Sequence, residues 1–203
     1  MPTIPLDLES DTVVLPPPAM PAQATLEQAL KKRRSTRSFL AEETLSLQTL
    51  ATLLWAAFGM NRPGSGGRTA PSAHNWREIE VFAVLGEGAY RYDPRGHKLL
   101  LVKGQDLRRF TGTQDFVATA PLNLVYVADF TRMTDVRNDE RGFLAGADAG
   151  CIAQNVYLHC AASGLATVVR GLIDRRLLAQ ALGLSTTQRI ALAQSVGYAG
   201  SEG

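Results

Sequence analysis

Arg33-Arg34-Ser35-Thr36-Arg37-Ser38-Phe39 is the stretch around which the chain is organised. Three arginines fall within five residues, with hydroxyls between them. Upstream, Thr25 reads as a helix N-cap, with Gln28 three positions on as its capping-box partner. Leu26, Ala29 and Leu30 give that helix, about residues 25 to 33, an apolar stripe. The arginines therefore sit at or just past a helix C-terminus, where the helix dipole mildly favours cations. Three like charges so close together repel unless an anion lies among them. Arginine forks match phosphate oxygens in pairs, and a serine or threonine hydroxyl can bond a further oxygen. A solvated basic helix end is the competing reading of the same run.

A second stretch, Arg68-Thr69-Ala70-Pro71-Ser72-Ala73-His74-Asn75-Trp76, runs into the apolar segment Ile79 to Leu85. The pair resembles the FMN-dependent nitroreductase family. Its members carry an R-x-S-x-R/K segment after the first helix and a P-S-x-x-N segment before the first strand. Here these read Arg33-Arg34-Ser35-Thr36-Arg37 and Pro71-Ser72-Ala73-His74-Asn75. Leu53-Leu54-Trp55-Ala56-Ala57-Phe58-Gly59 and Tyr90-Arg91-Tyr92-Asp93-Pro94 are similar to the subgroup that includes azoline (thiazole/oxazole-forming) dehydrogenases. The resemblance spans about residues 25 to 198.

It implies an α+β, nitroreductase-like fold: a central mixed or antiparallel sheet flanked by helices, with a long buried helix at a dimer interface. It implies a homodimer with FMN between the subunits. Hydride would pass from NAD(P)H through flavin N5 to nitroaromatics, quinones or related acceptors, in ping-pong order. The alternatives are an azoline-type dehydrogenase using FMN and oxygen, and a non-catalytic flavin-binding protein.

Carried over by motif, Arg33 binds the FMN phosphate, with Arg34 alongside, and Ser35 bonds the phosphate or ribityl chain. Arg37 reaches the pyrimidine end of the flavin near N1 and O2, where a cation favours the reduced state. Pro71, Ser72, Ala73 and Asn75 line the ring from the other subunit. Gln114 stands where the family has a further polar contact. Val169, Arg170 and Gly171 mark where it sets a backbone N–H against N5. Many family members complete the phosphate clamp with a basic C-terminal tail. Here Tyr198-Ala199-Gly200-Ser201-Glu202-Gly203 supplies no Lys or Arg, which leaves Arg33, Arg34 and a partner not evident in the sequence.

The remaining sequence constrains the answer without naming it. A chain of 203 residues is long enough for one domain with a sizeable core. A formal charge of +2 does not imply nucleic-acid binding. No apolar run approaches the roughly 18 residues of a membrane span, and no signal peptide is visible. Cys151 and Cys160 fall on opposite faces of one expected helix, about 13 Å apart along its axis, too far to bridge. Reduced thiols and a cytoplasmic location are the default expectation. His74, His97 and His159 share no metal-ligand spacing with Asp, Glu or Cys, and no serine sits in a nucleophile elbow. Glu42-Glu43 and Asp139-Glu140 read as solvated pairs, not as an acid–base couple. A chain of this kind borrows its reactivity from a cofactor, or is not an enzyme.

Residues 1–24 read as an extended proline-rich arm, with apolar Leu6, Leu8, Val13, Val14 and Leu15, and residues 25–203 as one FMN-binding domain. A second helix runs from about 47 to 58, capped by Ser46 and ended by Gly59. Residues 60–70 read as a flexible glycine-rich loop. Strands follow at 78–85, 89–92 and 99–102, the last two a hairpin about Asp93-Pro94-Arg95-Gly96. Leu122–Ala128 reads as a central strand, and 141–163 as a long helix rich in Gly and Ala. Strands at 166–170 and 189–198 bracket a helix that starts at Asp174 and ends at Gly183. Helices interleaved with strands indicate α+β.

Overall fold

A computed structural model gives the structure of residues 11–21 and 24–200. Seven strands form one sheet in the order β1-β6-β5-β4-β7-β9-β8. They are β1 (Thr12–Val14), β4 (Ile79–Val84), β5 (Ala89–Asp93), β6 (Lys98–Lys103), β7 (Leu122–Asp129), β8 (Ala166–Arg170) and β9 (Gln188–Gly197). Every neighbouring pair runs antiparallel, so the sheet is not mixed. β7 lies inside the sheet, and its apolar alternation is weak because both of its faces are covered. Leu122, Leu124 and Tyr126 enter one hydrophobic cluster, while Val125 and Val127 enter another.

Local signals place the helices. α1 (Leu26–Lys32) has the expected capping box between Thr25 and Gln28. Of its stripe only Ala29 is buried; Leu26 and Leu30 are 65% and 54% exposed. α2 (Leu47–Phe58) starts with the Ser46 hydroxyl accepting from the Thr49 N–H. α3 (Asn138–Ser163) begins three residues before the expected start and ends at Gly164, whose φ of 72° suits glycine. α4 (Arg175–Leu182) is capped by Asp174. α2 and α3 cover one face of the sheet, and α4 packs on the other.

Two small-residue stripes explain α3. Ala145, Ala149 and Ala153 are buried and let the helix lie close to the layer below. Gly142, Gly146 and Gly150 run beside that buried stripe, and a methyl group at any of them would touch nothing within 4 Å. Phe143, 77% exposed, and Cys151, also exposed, lie further round on the open side. The long helix is therefore buried on one face only. Cys160 is buried, and both thiols are free.

One segment differs from its reading. Residues 60–70 are not an unstructured loop but a short hairpin of β2 (Met60–Arg62) and β3 (Gly67–Arg68), turned at Gly66 with φ +66°. Its glycines mark a turn between strands that carry little apolar sequence. The proline-rich segment folds onto its own chain: β1 pairs with β6, Leu15 is buried, and the Gln48 amide donates to the Pro17 carbonyl at 2.9 Å. Leu6 and Leu8 lie outside the described residues. Among the described residues no helix is long and apolar enough to cross a membrane.

Candidate functional site

The arginine run follows α1 and is pinned to β8. Thr36 is buried, and its N–H donates to the Thr167 carbonyl at 3.0 Å. This holds Arg33 and Arg34 at the rim of a cavity of about 440 Å³ that Lys31 and Lys32 also line. Four cations face this space, of which Lys31 is paired with Glu27 at 2.5 Å, and among the described residues no carboxylate lines it. The Arg33 guanidinium lies 5.3 Å from the centre of the Tyr157 ring. Ser35 and Tyr157 share a hydroxyl hydrogen bond of 2.7 Å. Arg34, Ser35 and Arg37 are exposed.

Tyr157 ties this strip to the end of β8, because its hydroxyl accepts the Val169 N–H at 3.0 Å. That amide is therefore engaged within the chain. Arg170 also turns inward. It is 4% exposed and donates to the Thr111 carbonyl at 2.7 Å and to Asn123 Oδ1 at 2.8 Å. Burial lowers its pKa to about 10, and among the described residues no carboxylate pairs with it. Its side chain holds the segment around Thr111 to the sheet and is not aimed outward. Gly171 is exposed, and a methyl group there would meet only a Leu192 methyl at 3.9 Å. Of the three residues expected to meet the flavin, Gly171 keeps an open approach. Gln114 lies close by, with Oε1 3.0 Å from where a Gly112 Cβ would stand, and that oxygen is buried without a partner.

The Pro71–Asn75 turn is built differently. His74, Asn75 and Arg77 have φ of 48°, 57° and 52°. Three non-glycine residues with positive φ within four positions store backbone strain, which persists only where the surroundings over-determine it. Two buried carboxylates do so here. Ser72 Oγ accepts the Arg77 N–H at 2.8 Å and donates to Glu78 Oε2 at 3.0 Å. The Ala73 N–H donates to Asp148 Oδ2 at 2.7 Å. Glu78 is 0% and Asp148 7% exposed. Burial first, then the Asp148 charge, raises Glu78 to about 7, against the lowering effect of its hydrogen bonds. Held from below in this way, the turn presents Pro71, His74 and Asn75 outward.

Within one chain the two groups of residues do not meet. Tyr157 holds the Ser35 strip and Asp148 holds the Ala73 turn, nine residues apart on α3. Nine helical residues are half a revolution around the axis and about 13 Å along it. The sequence reading did not find Lys31, Lys32, Tyr157, Glu78 or Asp148. Only the two lysines carried a local signal, as neighbours of the arginine run. The rest were passed over. His159 is buried, which lowers it to about 4, and its Nδ1 has no partner. Among the described residues no group of His, Cys, Asp and Glu could hold a metal ion.

A model of the nitroreductase family matches residues 30–198. A candidate nitroreductase of Methanocaldococcus jannaschii is 36% identical over 157 residues, covering 72% of this chain and 78% of that protein. The crystal structure of a candidate nitroreductase of Ralstonia eutropha JMP134 aligns at a TM-score of 0.91 and 42% identity, over 100% of this chain and 96% of that one. The structure of the NADPH:FMN oxidoreductase of Vibrio harveyi, complexed with NAD+, shares the fold at a TM-score of 0.64 and 20% identity, over 87% and 69%. With the family pattern spanning most of its length and a relative of 42% identity covering all of it, the chain belongs to the nitroreductase family.

Proposed function

We propose that the chain is an FMN-dependent oxidoreductase that takes reducing equivalents from NAD(P)H and passes them to a small-molecule acceptor such as a nitroaromatic or a quinone. This refines the oxidoreductase class that its family gives. The observation that carries it is the cavity lined by Lys31, Lys32, Arg33 and Arg34 with no carboxylate among its described lining residues. With Lys31 paired to Glu27, the charges of Lys32, Arg33 and Arg34 at one cavity repel each other until an anion joins them, and a phosphate monoester is such an anion. FMN, when bound, supplies the centre that accepts and returns a hydride.

The protein's part is to hold and bias that group. Arg33 and Arg34 take the phosphate, and Lys32 adds charge beside them. Ser35 offers a hydroxyl beside them, oriented by Tyr157. Arg37, exposed three residues beyond Arg34, supplies positive charge toward the pyrimidine end. Gln114 has an unspent buried acceptor for a ring N–H. Pro71, Ser72, Ala73 and Asn75 cover the ring of the flavin held by the partner subunit. The open α3 face with Gly142, Gly146, Gly150 and Phe143 is the surface by which two copies pair.

The purified protein is expected to be yellow with one FMN per chain and to bleach on adding NADH or NADPH without air. Colourless protein that fails to quench FMN fluorescence in a titration would sink the reading. The two arginines separate binding from tuning. Arg33→Ala should weaken FMN binding by about 1.5–3 kcal/mol, roughly ten- to a hundredfold, as for a charged hydrogen bond. Arg37→Ala should chiefly lower the flavin reduction potential, because charge that favours the reduced form is gone. Fluorescence titration and redox potentiometry on both variants read the difference; equal shifts in potential with unchanged affinity contradict the assigned roles.

A further inference from the structure

Arg68 and Arg77 flank the Pro71–Asn75 turn, and both line a second cavity of about 170 Å³. Five guanidiniums face it, from Arg68, Arg77, Arg91, Arg95 and Arg132, against two carboxylates, Glu80 and Asp93. The carboxylates are already committed. Glu80 takes Arg91 at 3.1 Å, Arg132 at 2.9 Å and the Gln188 amide at 2.7 Å. Asp93 accepts the Arg95 backbone N–H at 3.0 Å and faces the Lys98 ammonium at 4.0 Å. Arg77 donates to Asn75 Oδ1 at 2.9 Å and to the Ser65 carbonyl at 3.1 Å.

Arg68 is left over. Its Nε and Nη1 are buried and have no hydrogen-bond partner, with the guanidinium 5.5 Å from the centre of the Phe58 ring. Burial first, then the Arg77 charge, holds its pKa below the usual arginine range. A buried fork with two donors unmet is costly, and such a group marks a partner that the protein itself does not supply. Water could meet the donors but would not offset the surplus charge. An oxyanion does both. Three guanidiniums with fixed fork geometry match a dianion with three free oxygens better than a carboxylate with two.

We propose that Arg68, Arg77 and Arg95 form a second anion site, separate from the Lys31–Arg34 cavity, that binds a phosphate monoester. Two sources share this chemistry: the 2′-phosphate of NADPH and free phosphate. The first rests on the reductant reading above; the site itself does not. It would make the strained turn a junction, with the flavin ring on one side and the phosphate of the reductant on the other.

Calorimetric titration of the FMN-loaded protein with adenosine 2′,5′-bisphosphate, 5′-AMP and inorganic phosphate tests this. Arg68→Ala and Arg95→Ala should each weaken anion binding roughly tenfold or more. Arg109→Ala, which removes the same charge from an exposed position over Phe110, should not. Arg95 is exposed in the β5–β6 turn, so its variant keeps the test valid if Arg68→Ala misfolds. Bisphosphate binding at least tenfold tighter than 5′-AMP assigns the site to the 2′-phosphate; similar binding of all three assigns it to free phosphate. If the chain takes up no FMN, the same titration on the flavin-free protein still separates the cavities, since only the Arg68 and Arg95 variants should affect the second one. No binding of any of the three, or binding indifferent to Arg68 and Arg95, overturns the proposal.

Discussion

Refolding two inactive variants together should return roughly a quarter of wild-type activity. The variants are Arg37→Ala, which removes the charge proposed near the pyrimidine end, and Ala73→Trp, which fills the proposed ring-covering turn. Ala73 is chosen over Ser72 because the Ser72 hydroxyl anchors the turn to Glu78, and a bulky residue there would undo the turn itself. The Ala73 side chain is half-buried, and its backbone is free of positive φ. Each homodimer should be nearly inactive. Random reassortment of a two-fold dimer makes about half the dimers mixed. In a mixed dimer one site carries both lesions and the other carries neither, so about a quarter of all sites are intact.

The structure gives this experiment its force. Ser35 and Ala73 are held through Tyr157 and Asp148, on opposite sides of α3 and about 13 Å apart along it, a separation that favours the proposed shared site. If instead both groups served one site within a chain, every site in the mixture would carry one lesion. Activity would then stay near zero. Mass spectrometry of the mixture, showing mixed dimers without recovered activity, would rule out the shared site.

What the sequence made legible follows from how far its signals reach along the chain. Thr25 with Gln28, Ser46, Asp174 and Gly164 act over three or four residues, and each helix end formed where those residues stand. The Asp93–Gly96 turn likewise joined β5 to β6 as read. The β2–β3 hairpin was missed because its strands are short and polar, so glycine content was the only visible cue. Arg170 was recognised by position, but its inward course was not, since a buried cation held by one carbonyl and one amide oxygen leaves no pattern beside it in sequence. Tyr157 lies mid-helix with no motif around it. Glu78 and Asp148 are separated by 70 positions, and nothing near either says that they will share one buried corner. The family motifs located the arginine run and the turn; what holds each in place depended on contacts between distant segments.

The Glu78–Asp148 corner should make the protein more stable in mild acid than in mild base, and Glu78→Gln should abolish most of that slope. Burial, then Asp148, raises Glu78 from 4.5 to about 7 in the folded chain. Between those two values the folded protein holds a proton that the unfolded chain has released. Stability therefore falls as pH rises through that window, and the loss is complete above about 7. At 1.36 kcal/mol per unit the shift corresponds to no more than about 3 kcal/mol. For a chain of this length that is about 5–10 °C in Tm between pH 5 and pH 8. A glutamine copies the protonated carboxyl: its carbonyl can accept from Ser72 and its amide can donate toward Asp148, at every pH. The Glu78→Gln protein should therefore melt at nearly the same temperature at pH 5 and pH 8, and above wild type at pH 8. Asp148→Asn should reduce the slope without removing it, because burial of Glu78, the larger cause, remains. Thermal melts of the three proteins across this range decide the matter. A wild-type slope that survives intact in Glu78→Gln would mean that the titrating group lies elsewhere, and that the strained turn is held by hydrogen bonds indifferent to the charge on Glu78.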